Sequence, residues 1–80
     1  MTEPDIQETV RKRWSECLET DHVSDEQDFF LSGGHSLLAV RLTTSLREDL
    51  AMEIPVSALF ETRTLTAYTT LVERLARVES

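Results

Sequence analysis

The residues of this sequence with the most suggestive chemistry surround Ser36. The segment reads Gly33-Gly34-His35-Ser36-Leu37, and its two glycines are the only ones in the chain. Glycine allows tight or positive-φ backbone conformations, so this pair can present the Ser36 hydroxyl at the start of a helix. The free N–H groups and dipole of a helix start favour a negative group, such as a phosphate ester on that hydroxyl. The alternative is that Ser36 is only an N-cap.

A serine hydrolase would need more than this segment supplies. The nucleophile-elbow pattern is Gly-x-Ser-x-Gly, but Leu38 stands where its second glycine belongs. His35 directly precedes Ser36, which is a poor position for a general base, and His22 is the only other histidine. We therefore do not expect a serine hydrolase.

Metal ligation is not indicated either. The single cysteine, the two histidines and the loop carboxylates lack a ligand spacing, so we expect no metal site. Cys17 is interpreted as a small core residue and His22 as a solvated loop residue. One cysteine also rules out an internal disulfide.

Length and charge narrow the classes of function further. The chain has 80 residues, 15 acidic and 8 basic, for a formal net charge of −7. This length predicts one domain, residues 1–80. The charge disfavours nucleic acid and anionic membrane surfaces as partners. No run of about 18 apolar residues occurs, and residues 1–5 are polar and acidic, unlike a signal peptide. We expect a soluble, cytoplasmic protein.

The apolar periodicity predicts an all-α fold, a small four-helix bundle with three long helices and one short. The predicted helices cover residues 5–19, Ser36–Leu50, a short segment from Pro55, and residues 65–78 after a cap at Thr64. Trp14 lies on the core stripe of the first helix. A long loop, residues 20–35, separates the first two helices. The side chains expected to anchor this loop to the core are Val23, Phe29, Phe30 and Leu31.

The second helix has apolar residues on two faces. The core stripe consists of Leu38, Ala39, Leu42, Leu46 and Leu50. Leu37 and Val40 fall on the opposite side beside Ser36, with Thr44 on the same face and Arg41 at its border. Grouped exposed apolar residues predict a partner contact. The alternative is that the loop folds over Leu37 and Val40. Arg41 and Arg47 either pair with nearby carboxylates such as Glu48 and Asp49 or meet a partner.

Residues 28–37, Asp-Phe-Phe-Leu-Ser-Gly-Gly-His-Ser-Leu, resemble the motif of the carrier domains of nonribosomal peptide synthetases, also called peptidyl or thiolation carrier proteins. The segments at 54–56, 59–61 and 64–65 resemble the family's third helix and the start of its fourth. Two positions depart from the family pattern. Ser32 stands where leucine is usual, and Arg63 stands where proline often occurs.

The resemblance implies a four-helix carrier with no chemistry of its own. A phosphopantetheinyl transferase would move 4′-phosphopantetheine from coenzyme A onto Ser36, within the motif of Gly33, Gly34, His35 and Leu37. An adenylation enzyme would load the arm's thiol with an amino acid, and a condensation, tailoring or thioesterase enzyme would take the cargo. Fatty-acid and polyketide carriers more often have Asp-Ser-Leu at this site, so an acyl carrier protein is the nearest alternative.

Met1 and the short ends suggest a free-standing carrier, and a domain excised from a large synthetase is the alternative. We expect a monomer that meets its enzymes in turn. Its expected partner contacts are Leu37, Val40, Arg41 and Thr44. An alternative of another class is a helical adaptor that docks a partner through Leu37 and Val40 while Ser36 stays unmodified.

Overall fold

Residues 5–79 form four helices: α1 (Ile6–Leu18), α2 (Ser36–Leu50), α3 (Ser57–Thr62) and α4 (Leu65–Glu79). The computed structural model describes residues 5–79, with side chains as far as Arg77. The predicted all-α fold of three long helices and one short helix is confirmed. Residues 1–4, used above in the comparison with signal peptides, lie outside the described part. No helix within residues 5–79 is long and apolar enough to cross a membrane.

The helix ends follow from local hydrogen bonding. The Asp5 carboxylate accepts the Glu8 N–H at 3.3 Å and caps α1, and Glu19 closes that helix in the left-handed region at φ 52°. The predicted range 5–19 therefore includes both cap residues. The Thr64 hydroxyl accepts the Ala67 N–H at 3.3 Å, which confirms the predicted cap of α4.

Aromatic side chains form the centre of the core, where α1 packs on α2 and α4 while α3 packs on α4. Trp14, Phe29 and Tyr68 are fully buried. The ring centroid of Trp14 lies 5.1 Å from that of Phe29 in an edge contact and 6.2 Å from that of Tyr68. The Trp14 indole N–H donates to the Gln27 side-chain oxygen at 2.9 Å. The predicted core position of Trp14 is confirmed.

The inner face of α2 buries more than the predicted apolar stripe. Ala39, Leu42 and Leu46 are fully buried, and Leu38 and Leu50 are partly buried against them. Thr43 is also buried, since its hydroxyl donates to the Ala39 carbonyl at 2.8 Å. Apolar periodicity alone does not find this residue, because a threonine becomes compatible with the core only through that bond.

The hydroxyl of Tyr68 lies deep in the same core. It has no hydrogen-bond partner within residues 5–79. Burial raises the pKa of Tyr68 to about 12, although the nearby Thr43 hydroxyl opposes that rise. Tyr68 therefore remains protonated and acts as a packing residue.

The loop between α1 and α2 lies across the start of α4. The first N–H groups of a helix have no partner inside the helix. Here the Leu65 N–H donates to the Gln27 carbonyl at 3.2 Å, and the Thr66 N–H donates to the Asp25 carbonyl at 2.9 Å. The loop thus supplies acceptors that the helix lacks, and this contact fixes its path.

Three of the four predicted loop anchors are confirmed. Phe29 is fully buried, while Val23 and Phe30 are partly buried against the core. The prediction for Leu31 is wrong, because its side chain is 83% exposed. Its backbone N–H is held by the Asp28 carboxylate at 3.1 Å, in a turn that directs the side chain outward.

An ion pair joins α1 to α2. The Arg13 guanidinium donates twice to the Asp49 carboxylate, from Nε at 2.5 Å and from Nη2 at 2.9 Å. Both side chains are largely covered, and the Arg13 hydrogen bond holds the pKa of Asp49 below its usual range. Arg47 pairs with Glu53 at 2.8 Å instead of with the nearby carboxylates of its own helix.

The Arg13–Asp49 ion pair predicts a pH-dependent contribution to the free energy of unfolding. Because the pKa of Asp49 is lowered by folding, its contribution is present above the unfolded-state pKa of about 4 and is lost as the pH falls through the folded-state pKa. We expect Asp49→Asn to lower the free energy of unfolding by about 1 kcal/mol at pH 7. The difference from the parent protein should shrink steadily below about pH 4. Chemical denaturation at several pH values measures this difference in the free energy of unfolding.

Asp21→Asn is the matched control for this prediction. Asp21 is an exposed loop carboxylate without an ion pair among residues 5–79. A loss of stability no larger in Asp49→Asn than in Asp21→Asn would show that the pair between α1 and α2 contributes nothing.

Candidate functional site

Ser36 is the first residue of α2, and it is exposed. The N-cap position belongs to His35, which has extended backbone angles and makes no side-chain capping bond. The interpretation of Ser36 as only an N-cap is therefore wrong. Within residues 5–79 the Ser36 hydroxyl makes no hydrogen bond. It is free to react or to bind.

The two glycines before Ser36 serve different purposes. Gly33 has a φ of 107°, which side-chain-bearing residues rarely adopt. Gly34 approaches Phe29 so closely that an added Cβ would lie 2.3 Å from the ring and 2.6 Å from the carbonyl oxygen. The Gly34 N–H donates to that carbonyl at 2.9 Å. The pair therefore folds the chain tightly over the buried ring and delivers Ser36 to the surface.

The N-terminal end of α2 carries partial positive charge that no acidic side chain of its first turn neutralises. Its first turn contains no acidic residue, and the hydrogen bond from the Ala39 N–H to the His35 carbonyl, 2.9 Å long, is the first of the helix. The N–H groups before Ala39 have no partner inside the helix, and the helix dipole adds to their effect. A phosphate ester on the Ser36 oxygen would place its negative charge next to these groups.

The outer face of α2 is open. Leu37 is 63% exposed and Val40 is 45% exposed, which confirms their predicted exposure. Arg41 and Thr44 are exposed on the same helix. The alternative in which the loop covers Leu37 and Val40 is wrong, because the loop instead lies across the start of α4. The role of these four residues as partner contacts stays a prediction.

A groove of about 430 Å³ adjoins this face. One wall is α2, with Val40, Arg41 and Thr44, and the other is the end of α1, with Glu16 and Cys17. Cys17 is partly buried, so its predicted core position is only half correct. Burial raises the pKa of the Cys17 thiol, which makes a reactive thiolate less available.

Two polar residues, Asp28 and Arg63, meet near the site although they are far apart in the sequence. One Asp28 carboxylate oxygen accepts the N–H groups of Phe30, at 2.8 Å, and Leu31, at 3.1 Å, while the other accepts Arg63 Nε at 3.0 Å. The Arg63 hydrogen bond lowers the pKa of Asp28. An aspartate at the start of a turn is a recognisable signal, but the distant arginine is not.

Comparison with known proteins bears on this site. A model of the family described as "phosphopantetheine attachment site" matches residues 8–72. A linear gramicidin synthase of Brevibacillus parabrevis is 35% identical over 68 residues, which is 85% of this chain and 1% of that protein. A surfactin synthase of Bacillus subtilis is 36% identical over 61 residues, 76% of this chain and 5% of that protein. The chain thus spans a small part of these curated relatives.

Solved structures show the same fold. BlmI, a type-II acyl-carrier-protein from Streptomyces verticillus involved in bleomycin biosynthesis, is 30% identical, with a TM-score of 0.81 over 86% of this chain and 83% of that one. A second match is to one chain of a structure of the phosphopantetheine transferase Sfp in complex with coenzyme A and a peptidyl carrier protein. Its TM-score is 0.80 at 22% identity, over 92% of this chain and 99% of the matched chain.

Because Gly34 lies so close to Phe29, one methyl group added at Gly34 should have a large effect on the free energy of unfolding. We expect Gly34→Ala to lower the free energy of unfolding by about 1–3 kcal/mol, because the added Cβ overlaps the buried ring and the backbone. Thermal or chemical denaturation measures this loss. Ser32→Ala, at an exposed position of the same turn, should stay within about 0.5 kcal/mol of the parent protein. Equal stability of the two variants would contradict the close approach.

Proposed function

Because the chain belongs to the phosphopantetheine attachment-site family, whose domains carry 4′-phosphopantetheine on a serine and are generally non-catalytic, we propose that Ser36 is that serine. The protein then acts as a peptidyl carrier in nonribosomal peptide biosynthesis. It does no chemistry of its own and presents its cargo to partner enzymes.

The observation that carries this proposal is the state of the Ser36 hydroxyl. It is exposed at the start of α2 and makes no hydrogen bond within residues 5–79. The helix behind it offers unpaired N–H groups and no acidic residue in its first turn. These features fit a phosphodiester, since they leave the oxygen accessible and stabilise the added negative charge. Ser32 is exposed too, but it lies before the glycine pair and away from a helix start.

The chain's residues prepare Ser36 for transfer of the arm from coenzyme A. Gly33 and Gly34 place the serine at the surface, where an incoming enzyme can take the hydroxyl proton. The serine oxygen then forms its bond to the phosphorus that bears pantetheine, while the bond to the adenosine bisphosphate leaving group breaks. When bound, the arm supplies a thiol that holds an aminoacyl or peptidyl cargo as a thioester.

The choice between peptidyl and acyl cargo rests on the residue before the serine. His35 matches the Gly-Gly-His-Ser-Leu form of peptide-synthetase carriers, and the synthase relatives support the same choice. The description of BlmI as a type-II acyl-carrier-protein keeps an acyl carrier as the second candidate. Loading assays with adenylation enzymes and with acyltransferases distinguish the two.

The proposed partners are a phosphopantetheinyl transferase, an adenylation enzyme and a downstream condensation, tailoring or thioesterase enzyme. All would meet the outer face of α2 at Leu37, Val40, Arg41 and Thr44. A carrier that serves several enzymes needs small, transient interfaces, and two exposed apolar side chains beside the serine suit this. The net charge of −7 would steer partners that have basic patches.

We expect the purified protein to gain one phosphopantetheine when incubated with a phosphopantetheinyl transferase, Mg²⁺ and coenzyme A. Intact-mass spectrometry measures the gain. Ser36→Ala should show none, whereas Ser32→Ala should be modified like the parent. A gain that persists in Ser36→Ala would move the site elsewhere. No gain in the parent protein, together with partner binding that survives Ser36→Ala, would favour the adaptor.

We expect Leu37→Asp and Val40→Asp each to lower kcat/KM for modification or loading at least about fivefold, because a buried charge replaces an apolar contact in the complex. Circular dichroism and thermal melting should show an intact fold, since both residues are exposed.

The matched control for these two variants is Thr70→Asp, at an exposed position of α4 in a pocket beside α1. It should leave the modification rate unchanged. Unfolding of Leu37→Asp or Val40→Asp would contradict the assignment of two faces to α2.

A further inference from the structure

Arg63 occupies the junction between α3 and α4 and makes four contacts there. Its Nε donates to the Asp28 carboxylate at 3.0 Å, and its guanidinium carbon lies 5.0 Å from the ring centroid of Phe30. Its carbonyl accepts the Phe29 N–H at 2.8 Å, and its own N–H donates to the Leu59 carbonyl at 2.9 Å. Both its side chain and its backbone are therefore engaged.

The segment that Arg63 holds leads directly to the serine. Asp28 uses its second carboxylate oxygen to fix the Phe30 N–H at 2.8 Å. The Phe29 carbonyl accepts the Gly34 N–H at 2.9 Å, and a Cβ on Gly34 would lie 2.3 Å from the Phe29 ring. Gly34 lies two residues before Ser36. A continuous series of contacts thus runs from Arg63 to the start of α2.

The backbone of Arg63 departs from the pattern that is common in the family. Its φ is 66° and its ψ is −38°, a conformation that costs a non-glycine residue conformational energy. The proline that carrier domains often have at this position is fixed near φ −65° and lacks an N–H group. It could neither adopt this turn nor donate to Leu59. The side-chain contacts of Arg63 offset the energy of its unusual backbone.

The ion pair is partly shielded from water. The Asp28 side chain is 19% exposed, while that of Arg63 is 48% exposed. Phe30 covers the guanidinium on one side, and it stacks in turn on Phe60 with centroids 5.0 Å apart. Such a charge–ring contact together with an ion pair stabilises a loop by more than either contact alone.

We propose that Arg63 is a positioning residue for the modification of Ser36. It fastens residues 28–30 to the α3–α4 junction and, through Gly34, fixes the start of α2 in the conformation that a transferase meets. This inference rests on the proposed function of Ser36, because it concerns the rate at which that hydroxyl is modified.

The test compares Arg63→Ala with two further variants. Arg63→Lys retains the charge but loses the planar group that stacks on Phe30. Arg11→Ala is the matched control, because Arg11 is 47% exposed and also pairs with the loop, at Asp25. That contact lies in the first half of the loop, away from Ser36. Should Arg63→Ala fail to fold, Arg63→Gly removes the same side chain and tolerates the positive φ.

Two measurements are made on each protein: kcat/KM for modification by a phosphopantetheinyl transferase with coenzyme A, and amide hydrogen exchange. For Arg63→Ala we expect kcat/KM to fall about fivefold and exchange of the Phe29 and Gly34 N–H groups to rise about fivefold. Exchange at Leu42 in the core should not change. Arg63→Lys should recover part of the rate, and Arg11→Ala should retain the parent rate.

A parent rate in Arg63→Ala would overturn the inference, even if exchange at Gly34 rises, and would leave the proposed function standing. An equal rise of exchange at Leu42 and Gly34 would also overturn it, since Arg63 would then stabilise only the whole fold. Failure of the parent protein itself to be modified would overturn the inference together with the proposed function.

Discussion

The first N–H groups of α4 need hydrogen-bond acceptors, and this need determines the path of the long loop. The loop between α1 and α2 supplies the Asp25 and Gln27 carbonyls to them. With the loop held there, the ring of Phe29 enters the core beside Trp14. A long connection without helix or strand thereby becomes part of the packed structure.

The start of α2 is arranged in the opposite way. Among residues 5–79 no loop carbonyl accepts its first N–H groups, His35 provides no side-chain cap, and Ser36 is exposed. The first N–H groups of α4 have loop carbonyls as acceptors, whereas those of α2 remain available to bind a negative group. The same loop accounts for both, because lying across α4 prevents it from covering Leu37 and Val40. The exposed serine and the exposed apolar face therefore have one structural cause.

Most of the fold could be predicted from the sequence, because helical periodicity and capping are local properties. Trp14 was correctly placed in the core, and the two faces of α2 were separated by the spacing of Leu37 and Val40. Leu31 was wrongly predicted to anchor the loop to the core, since an apolar side chain by itself gives no information about the turn that directs it outward. Thr43 was missed because its burial depends on a hydrogen bond within its own helix.

The four helices, the family motif and the serine at the start of α2 could all be read from the sequence, since each depends on residues close together in the chain. Which helix start is covered could not be read there, nor could the contact that joins Asp28 to Arg63 across the fold. Arg63 appeared in the sequence only as a departure from a family pattern. Its contacts depend on where the α3–α4 junction meets the loop, and packing of the whole chain sets that position.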